Sequence, residues 1–306
     1  MFNNALNSLR STFGVERPIE TNESNFAPNA ARKDYLGSRD DLGSAGISGS
    51  KINAESGRSY VTQDQPSLQL LENLQVLPKY DRHGKFILGS GNNSVGISLA
   101  RDRQVSDDHP QAYVAMKTLV SHEQAEREFA THQALGNDLR FVRGLDVSHV
   151  AQDGRSYIFM ERMSGGDAKA HLESIFSNRK LSAAEKNSKI LEAVHGYLDC
   201  LKALHDKDFK HGDIDIGNFF HDSSGNRTSI GDFGSTRPAT LAQKKDEAVE
   251  LGMMLNREVK SRAKHAGVDT RGLDNVIGVL YGNHPDSRVK QDPIGMLLKN
   301  WQQIQS

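Results

Sequence analysis

The sequence contains one cysteine, no long apolar run and no excess of either charge. The single cysteine, Cys200, excludes a fold held by internal disulfides and is compatible with a reducing compartment. No stretch of about 18 apolar residues is present, which excludes a membrane-spanning helix, and the start of the chain lacks the apolar core of a cleavable signal peptide. The formal net charge of -1 gives no reason to expect a nucleic acid partner, so a phosphate-binding site must be formed locally.

The 306 residues change in character near residue 66. Residues 1–66 are rich in Ser, Asn, Gly, Asp and Arg, with apolar residues scattered singly, which predicts a disordered leader. This leader is interpreted either as a flexible tail or as an export segment that binds a secretion chaperone. The remaining length allows one two-lobed domain. We predict a strand-rich lobe over residues 67–163 and a helical lobe over residues 164–306.

The first lobe has the residue pattern of strands around one helix. A short helix is expected around Leu68 to Leu77, before a Gly-rich turn that the strand-like segments FILGSG and AYVAMKTLV enclose. The segment SHEQAEREFATHQALG predicts a helix that ends at Gly136. Two further strands, within FVRGLDVSHVA and RSYIFMERM, are separated by a turn that ends at Gly154.

The second lobe has helical periodicity. Its clearest helix opens with a capping box, Ser182 to Glu185, and carries an apolar face along its length. A second helix is predicted from near Asp246 to Gly267, and shorter helices are predicted around Pro285 and Pro293. The pattern favours an α+β chain in which a small strand-rich lobe precedes a larger helical one.

Two neighbouring strings place oxygen-bearing side chains at strand ends. The string HGDIDIGNFF contains Asp213 and Asn218, and SIGDFG, after a short turn, contains Asp232. These three side chains can converge on one small volume. Magnesium prefers oxygen ligands, and phosphoryl transfer uses magnesium to neutralise the charge of the donor phosphates.

In order and spacing, these strings resemble the catalytic loop and the Asp-Phe-Gly motif of the protein kinase superfamily. The resemblance implies an α+β bilobal fold, with a small antiparallel β-rich N-lobe and a larger helical C-lobe, and it implies ATP and Mg²⁺ as cofactors. It also implies that Asp213 accepts or orients the proton of the substrate hydroxyl. Asn218 and Asp232 would then bind the metal.

The string VAMK places Lys117 on a predicted strand after the Gly-rich turn. The resemblance implies that Lys117 contacts the α- and β-phosphates and that an acid on the next helix holds it in place. Glu128 is the expected partner, because a leucine follows it by seven residues as in many kinases, and Glu126 is the alternative.

The Gly-rich turn LGSGNNSVG can bring backbone amides close to phosphate oxygens. Gly96 departs from the family pattern, which usually has valine there. The residues of this turn and of the following strand that we expect to contact the nucleotide are Gly89, Ser90, Gly91, Ser94 and Ala115.

The string FMERMSGGD resembles the segment that joins the two lobes of a kinase. The resemblance places Met160 at the gatekeeper position. It also implies that Glu161 and Met163 offer backbone groups to adenine and that Asp167 reaches a ribose hydroxyl.

Several positions depart from the family. Only about a dozen residues separate Gly234 from the helix predicted near Asp246, so the usual long activation segment is missing. Gly212 replaces the arginine that pairs with an activation-loop phosphate, and Asp215 replaces a lysine common in Ser/Thr kinases. We therefore expect a kinase that is active without loop phosphorylation. Asp246 is expected to be the buried aspartate that supports the catalytic loop.

Three functions follow from these patterns. The preferred one is a Ser/Thr protein kinase that resembles the compact effector kinases of Gram-negative pathogens. That resemblance implies type III secretion into the host cytoplasm and a host protein substrate, such as a defence signalling protein or the chaperone Hsp90. One alternative is a small-molecule phosphotransferase of the aminoglycoside or choline kinase type, because these enzymes share HGD with a downstream Asn. The other is a pseudokinase that binds a host partner without turnover.

Overall fold

The computed structural model describes residues 74–77, 96–102, 113–150, 154–222, 226–283 and 286–305. The predicted leader and the Gly-rich turn at residues 89–94 lie outside the described residues, and the boundaries near residues 66 and 163 stay predictions. None of the helices in the described ranges combines the length and the apolar composition needed to cross a membrane.

Five strands form one antiparallel sheet in the order β1-β2-β3-β5-β4. They are β1 Leu74–Leu77, β2 Gly96–Asp102, β3 Tyr113–Leu119, β4 Gly144–Val150 and β5 Arg155–Glu161. The predicted antiparallel, strand-rich first lobe is therefore confirmed. The middle strand, β3, carries the VAMK string, so two neighbouring strands fix the position of Lys117 by main-chain pairing.

The helix predicted around Leu68 to Leu77 is wrong in the part that the structure describes. Residues 74–77 form β1, which pairs with β2 from Leu74 opposite Asp102 to Leu77 opposite Leu99. The edge of β2 offers unpaired backbone groups that this segment satisfies. This pairing outweighs the weak local preference of a leucine-rich segment for helix.

Helix α1, His122–Leu135, packs on the sheet and follows the prediction closely. Ser121 caps its first turn by accepting a hydrogen bond from the Gln124 amide, and Gly136 ends it at φ 72°. Buried apolar residues join the helix to the sheet and fix its distance from β3: Leu119, Ala125, Phe129, Val142, Ile158 and Met160.

The second lobe is mainly helical, as predicted. Its helices are α2 Ala168–Ser177, α3 Ala183–Asp206, α4 Leu241–Met254, a π-helix Leu255–Lys260, α5 Ser261–His265, α6 Arg271–Leu280, α7 Ser287–Gln291, α8 Pro293–Lys299 and α9 Trp301–Gln305. Its short strands are β6 Gly166–Asp167, β7 Phe209–Lys210, β8 Phe219–His221, β9 Thr228–Ile230 and β10 Arg237–Pro238. Short 3₁₀ helices cover Ile216–Asn218 and Phe233–Ser235.

Helix α3 forms the centre of the second lobe. Its capping box, in which Ser182 and Glu185 bond each other's backbone amides, is present as predicted. The predicted apolar face is fully buried and comprises Ile190, Val194, Leu198, Leu201 and Leu204. Burying each of these side chains contributes about 1.5–3 kcal/mol. This helix therefore gives the catalytic loop a rigid support.

The prediction that the next helix begins near Asp246 is wrong. Helix α4 begins at Leu241, because Thr240 and Gln243 form a second capping box there. Only residues 235–240 lie between Gly234 and the helix, so the segment is even shorter than the sequence suggested.

Candidate active site

A buried lysine lies between two carboxylates where β3, α1 and the loop after β9 meet. The Nζ atom of Lys117 lies 2.8 Å from both carboxylate oxygens of Glu128 and 2.7 Å from Oδ1 of Asp232. The Lys117 and Glu128 side chains are almost completely buried, whereas the Asp232 side chain is 29% exposed. Asp232 therefore connects the buried pair with the solvent side of the site.

Lys117 and Asp232 stabilise each other's charged forms. Burial acts to lower the pKa of Lys117, but the two carboxylates outweigh it and raise the pKa above its ordinary value. Burial acts to raise the pKa of Asp232, but the charge and hydrogen bond of Lys117 outweigh it and hold the pKa below its ordinary value. Burial raises the pKa of Glu128, against the charge of Lys117, so the carboxylate that can attract a further cation is Asp232, which is partly exposed.

The backbone at Asp232 is strained and is held by the packing of the next residue. Asp232 is non-glycine at φ 63°, in the left-handed region. Phe233 is buried against the rings of His132, His211 and Phe141, at centroid distances of 4.8, 5.8 and 6.2 Å. The packed ring anchors the segment and keeps the Asp232 carboxylate turned toward Lys117.

The catalytic loop is anchored through the first residue of HGD. His211 is fully buried, and its Nε2 atom lies 2.8 Å from the Gly231 carbonyl oxygen. Gly212 follows at φ 79°, and a Cβ atom there would lie 2.6 Å from the Ser235 carbonyl oxygen. The short segment after Gly234 therefore approaches the loop too closely for the arginine that the family usually has.

The support of this loop is Glu247, and the prediction for Asp246 is wrong. Glu247 is 1% exposed and accepts hydrogen bonds from the amides of His211 and Gly212, at 3.0 and 2.6 Å. Its carboxylate also lies 2.9 Å from Nε2 of His205, on α3. Asp246 is exposed, because it lies one residue earlier on α4 and faces away from the loop.

Asp213 and Asn218 lie further along the catalytic loop. Asp213 is exposed, and its backbone carbonyl accepts a hydrogen bond of 2.9 Å from Nδ2 of Asn218. The Asn218 carbonyl accepts from the Gly231 amide, also at 2.9 Å, which ties the loop to the segment that bears Asp232. The amide oxygen of Asn218 and the carboxylate of Asp232 are oxygen ligands of the kind that magnesium prefers.

Asp215, which replaces the usual lysine, is used within the loop. Its carboxylate accepts a 2.8 Å hydrogen bond from the Gly217 amide and caps the short 3₁₀ helix. The guanidinium of Arg257, on the π-helix, lies 4.0 Å from this carboxylate. A cation is thus present beside the loop, although it comes from another element.

The predicted gatekeeper and strand residues lie together. Met160 on β5 is buried and pairs directly with Ala115 on β3, and Met163 packs on the same apolar cluster. The amide of Glu161 donates to the Arg143 carbonyl, so an adenine contact from Glu161 would fall to its carbonyl oxygen. The predicted turn residues Gly89, Ser90, Gly91 and Ser94 lie outside the described residues.

Asp167 and Glu126 have partners of their own. Oδ1 of Asp167 accepts from the Ala170 amide at 2.7 Å and caps α2, so a ribose contact would fall to its second oxygen. Glu126, the alternative partner of Lys117, is exposed and lies 2.7 Å from Nε2 of His149. The ion pair with Lys117 is made by Glu128.

Sequence reasoning missed His132, which packs behind the Asp-Phe-Gly segment. Its Nδ1 atom lies 3.0 Å from the Val142 carbonyl oxygen, and its ring is 4% exposed. Burial lowers the pKa of His132 to about 4, so the ring is neutral at neutral pH. The signal was available, because His132 follows Glu128 by four residues and lies on the same helix face.

Comparison with known protein families identifies the domain that contains this site. A family model for the protein kinase domain matches residues 84–273, which is more than half of the chain. No curated protein gives a significant match. The matched range runs from before the Gly-rich turn, through the cluster around Lys117 and the catalytic loop, into α6.

Proposed function

The chain belongs to the protein kinase domain family, and on that premise we propose that it is an ATP- and Mg²⁺-dependent protein kinase that phosphorylates serine or threonine. The observation that carries the proposal is the contact of Lys117 with Glu128 and Asp232 at 2.7–2.8 Å. Three charged groups, from β3, α1 and the loop after β9, meet in one largely buried place. A fold that only had to be stable would gain little from this arrangement, since burying charges costs free energy even when they are paired.

The proposed roles follow from position and exposure. The exposed Asp213 carboxylate receives the proton of the acceptor hydroxyl as the hydroxyl oxygen attacks the γ-phosphorus and the bond to the leaving ADP oxygen breaks. Lys117, held by Glu128, presents its charge to the donor phosphates. Positioning and charge neutralisation then supply most of the acceleration, and no covalent enzyme intermediate is needed.

The residues of the site fit a magnesium ion. Asp232 and Asn218 offer hard oxygen ligands, and the charged carboxylate of Asp232 favours a cation on its exposed side. When bound, magnesium neutralises charge on the donor phosphates. Asp232 keeps its ligand geometry because Phe233 is packed and Lys117 bonds one of its oxygens.

We further propose that the protein is active without phosphorylation of its own chain. Gly212 leaves no arginine to pair with an activation-loop phosphate, and residues 235–240 are too few for a long gating loop. The loop is instead held by Glu247.

The cellular part of the proposal is that this is a secreted effector that acts on a host protein in the host cytoplasm. What supports it is the compact kinase domain and the composition of residues 1–66. A defence signalling protein or a chaperone such as Hsp90 is the proposed substrate, and a secretion chaperone is the proposed partner of the leader.

Deleting residues 1–65 tests the cellular part by itself. We expect the deletion to leave phosphoryl transfer by the purified protein unchanged, because the match to the protein kinase domain begins only at residue 84. It should abolish delivery from a secreting bacterium, measured with a reporter enzyme fused to the C-terminus. Delivery that survives the deletion would remove the effector proposal without affecting the kinase proposal.

A small-molecule phosphotransferase is the second candidate, and Gly212 is the observation that favours it. The HGD string at this position is shared with aminoglycoside and choline kinases, and here its glycine is required by the backbone. A pseudokinase is the third candidate, and the observation that favours it is Asp215 in place of the usual lysine.

One experiment distinguishes the three. Purified wild type and the Asp213→Asn variant are incubated with γ-labelled ATP, magnesium and a eukaryotic lysate, and in parallel with choline and an aminoglycoside. We expect label in discrete protein bands from the wild type alone. Label in a small acceptor would indicate the second candidate, and ATP binding without transfer would indicate a pseudokinase.

A further inference from the structure

A cluster of possible metal ligands lies between α1 and β4 and shares no residue with the active site. His122 and Glu126 stand four residues apart on α1, and His149 stands on β4. One ligand atom from each residue can be chosen so that all three lie within 4.8 Å of one another. The rings of His122 and His149 meet edge to face at a centroid distance of 3.5 Å.

The ring of His149 is fixed by a buried hydroxyl group. Its Nδ1 atom lies 2.8 Å from Oγ of Ser156, which is 1% exposed and faces His149 across the β4–β5 ladder. This contact directs Nε2 outward to Glu126. Metal-binding histidines commonly have such a partner on the second ring nitrogen, because it sets the tautomer and the ring orientation.

His149 and Glu126 already meet through the two atoms that would bind a metal ion. Nε2 of His149 lies 2.7 Å from Oε1 of Glu126. In the tautomer that carries the ring proton on Nε2, His149 donates to Glu126 and its Nδ1 accepts from the Ser156 hydroxyl. A metal ion between the two atoms would use the other tautomer, in which Nδ1 donates to Ser156 and the lone pair of Nε2 faces the metal.

We propose that His122, Glu126 and His149 bind a zinc ion, with water as the fourth ligand. Two imidazoles and a carboxylate form a donor set that zinc prefers, with bond lengths of about 2.0–2.2 Å. In a tetrahedral site the ligand atoms lie about 3.3 Å apart, which the exposed side chains of His122 and Glu126 can reach by small rotations. The same donors also suit other late divalent transition metals.

Zinc in this place would connect α1 to β4 beside the active-site cluster. Glu126 lies two residues before Glu128, the partner of Lys117. A bound ion would therefore hold the first two turns of α1 against the sheet. Any effect of this on phosphoryl transfer rests on the proposed function, whereas zinc binding itself does not.

The test is zinc binding by the full chain in excess magnesium, measured by competition with a fluorescent chelator. We expect one tight equivalent in the wild type and a loss of at least about 100-fold in affinity in His149→Ala and Glu126→Gln. Ser156→Ala should weaken binding about 10-fold, since it removes only the orienting partner. His265→Ala, which removes an exposed histidine on α5, is the matched control and should bind as the wild type.

Cobalt substitution gives a second measurement that does not depend on activity. Tetrahedral Co²⁺ should show visible absorption in the wild type and in His265→Ala, and none in His149→Ala. Equal zinc affinity in wild type and His149→Ala, with both proteins folded by circular dichroism, would overturn the proposal. An absence of tight binding in the wild type would do so as well.

Discussion

Lys117→Met and Asp232→Ala are each expected to reduce phosphoryl transfer by about 10³-fold or more. Lys117 is the cation that the site presents to the donor phosphates, and Asp232 is the proposed metal ligand on its exposed side. Both groups would stabilise the negative charge that develops on the phosphate oxygens during the transfer. Their loss should therefore lower kcat rather than only raise KM for ATP.

The two variants should differ in stability. Asp232→Ala removes a carboxylate that is 29% exposed and leaves the Lys117 and Glu128 pair intact, so the fold should persist. Lys117→Met leaves Glu128 buried without a cation, which costs about 3–5 kcal/mol unless the carboxylate takes up a proton. The double variant Lys117→Met with Glu128→Gln should recover most of this stability and remain inactive.

Rates and unfolding must be measured on the same samples. Transfer of label at saturating ATP and magnesium gives kcat, and urea unfolding followed by circular dichroism gives the free energy of unfolding. Lys264→Met, which changes an exposed lysine on α5, is the matched control and should change neither quantity. Retained activity in folded Lys117→Met or Asp232→Ala would contradict the assigned roles.

Local sequence signals were sufficient for most of the fold. Helix α1 begins after Ser121 and ends at Gly136, and α3 begins at its capping box, because side chains close in sequence satisfy the free amides of the first turn. The strand that carries Lys117 was predicted for a similar reason, since its apolar and aromatic residues suit a buried sheet. These features are determined within a few residues of chain.

Features that depend on distant pairing were not predictable in the same way. The segment Leu74–Leu77 is a strand because β2 offers it an edge, which no local pattern reveals.

The early start of α4 at Leu241 was missed although the capping residues Thr240 and Gln243 were present in the sequence. Capping signals therefore deserve more weight than the apolar face when a helix boundary is predicted.

In the active site, too, some residues could be predicted from the sequence and others depended on the packing of the fold. The order of Lys117, Asp213, Asn218 and Asp232 along the chain was enough to nominate them, and the structure brings Lys117 and Asp232 into contact across 115 positions. The choice of Glu247 over Asp246 depends on which helix face meets the catalytic loop. The sequence places the two acids side by side, and the expectation of an aspartate selected the wrong one.

Glu247→Ala is expected to cost about 3 kcal/mol or more in the free energy of unfolding, because it leaves the amides of His211 and Gly212 buried without acceptors. The loop that carries Asp213 should then shift, and a displacement of about 1 Å can reduce the rate by about 10²-fold. Asp246→Ala is the matched control. It should cost less than about 0.5 kcal/mol, since Asp246 is exposed.

The pH dependence of unfolding gives an independent measure of the same carboxylate. Burial acts to raise the pKa of Glu247, but the hydrogen bonds from His205 and from the Gly212 and His211 amides outweigh it and hold the pKa below the ordinary 4.5. Its stabilising contribution is therefore complete above pH 4.5 and is lost as the pH falls through the lowered folded-state value. Between these two pH values the wild type should lose stability faster than Glu247→Gln on acidification. Equal acid sensitivity of the two proteins, or a larger cost from Asp246→Ala than from Glu247→Ala, would show that the loop is held by another group.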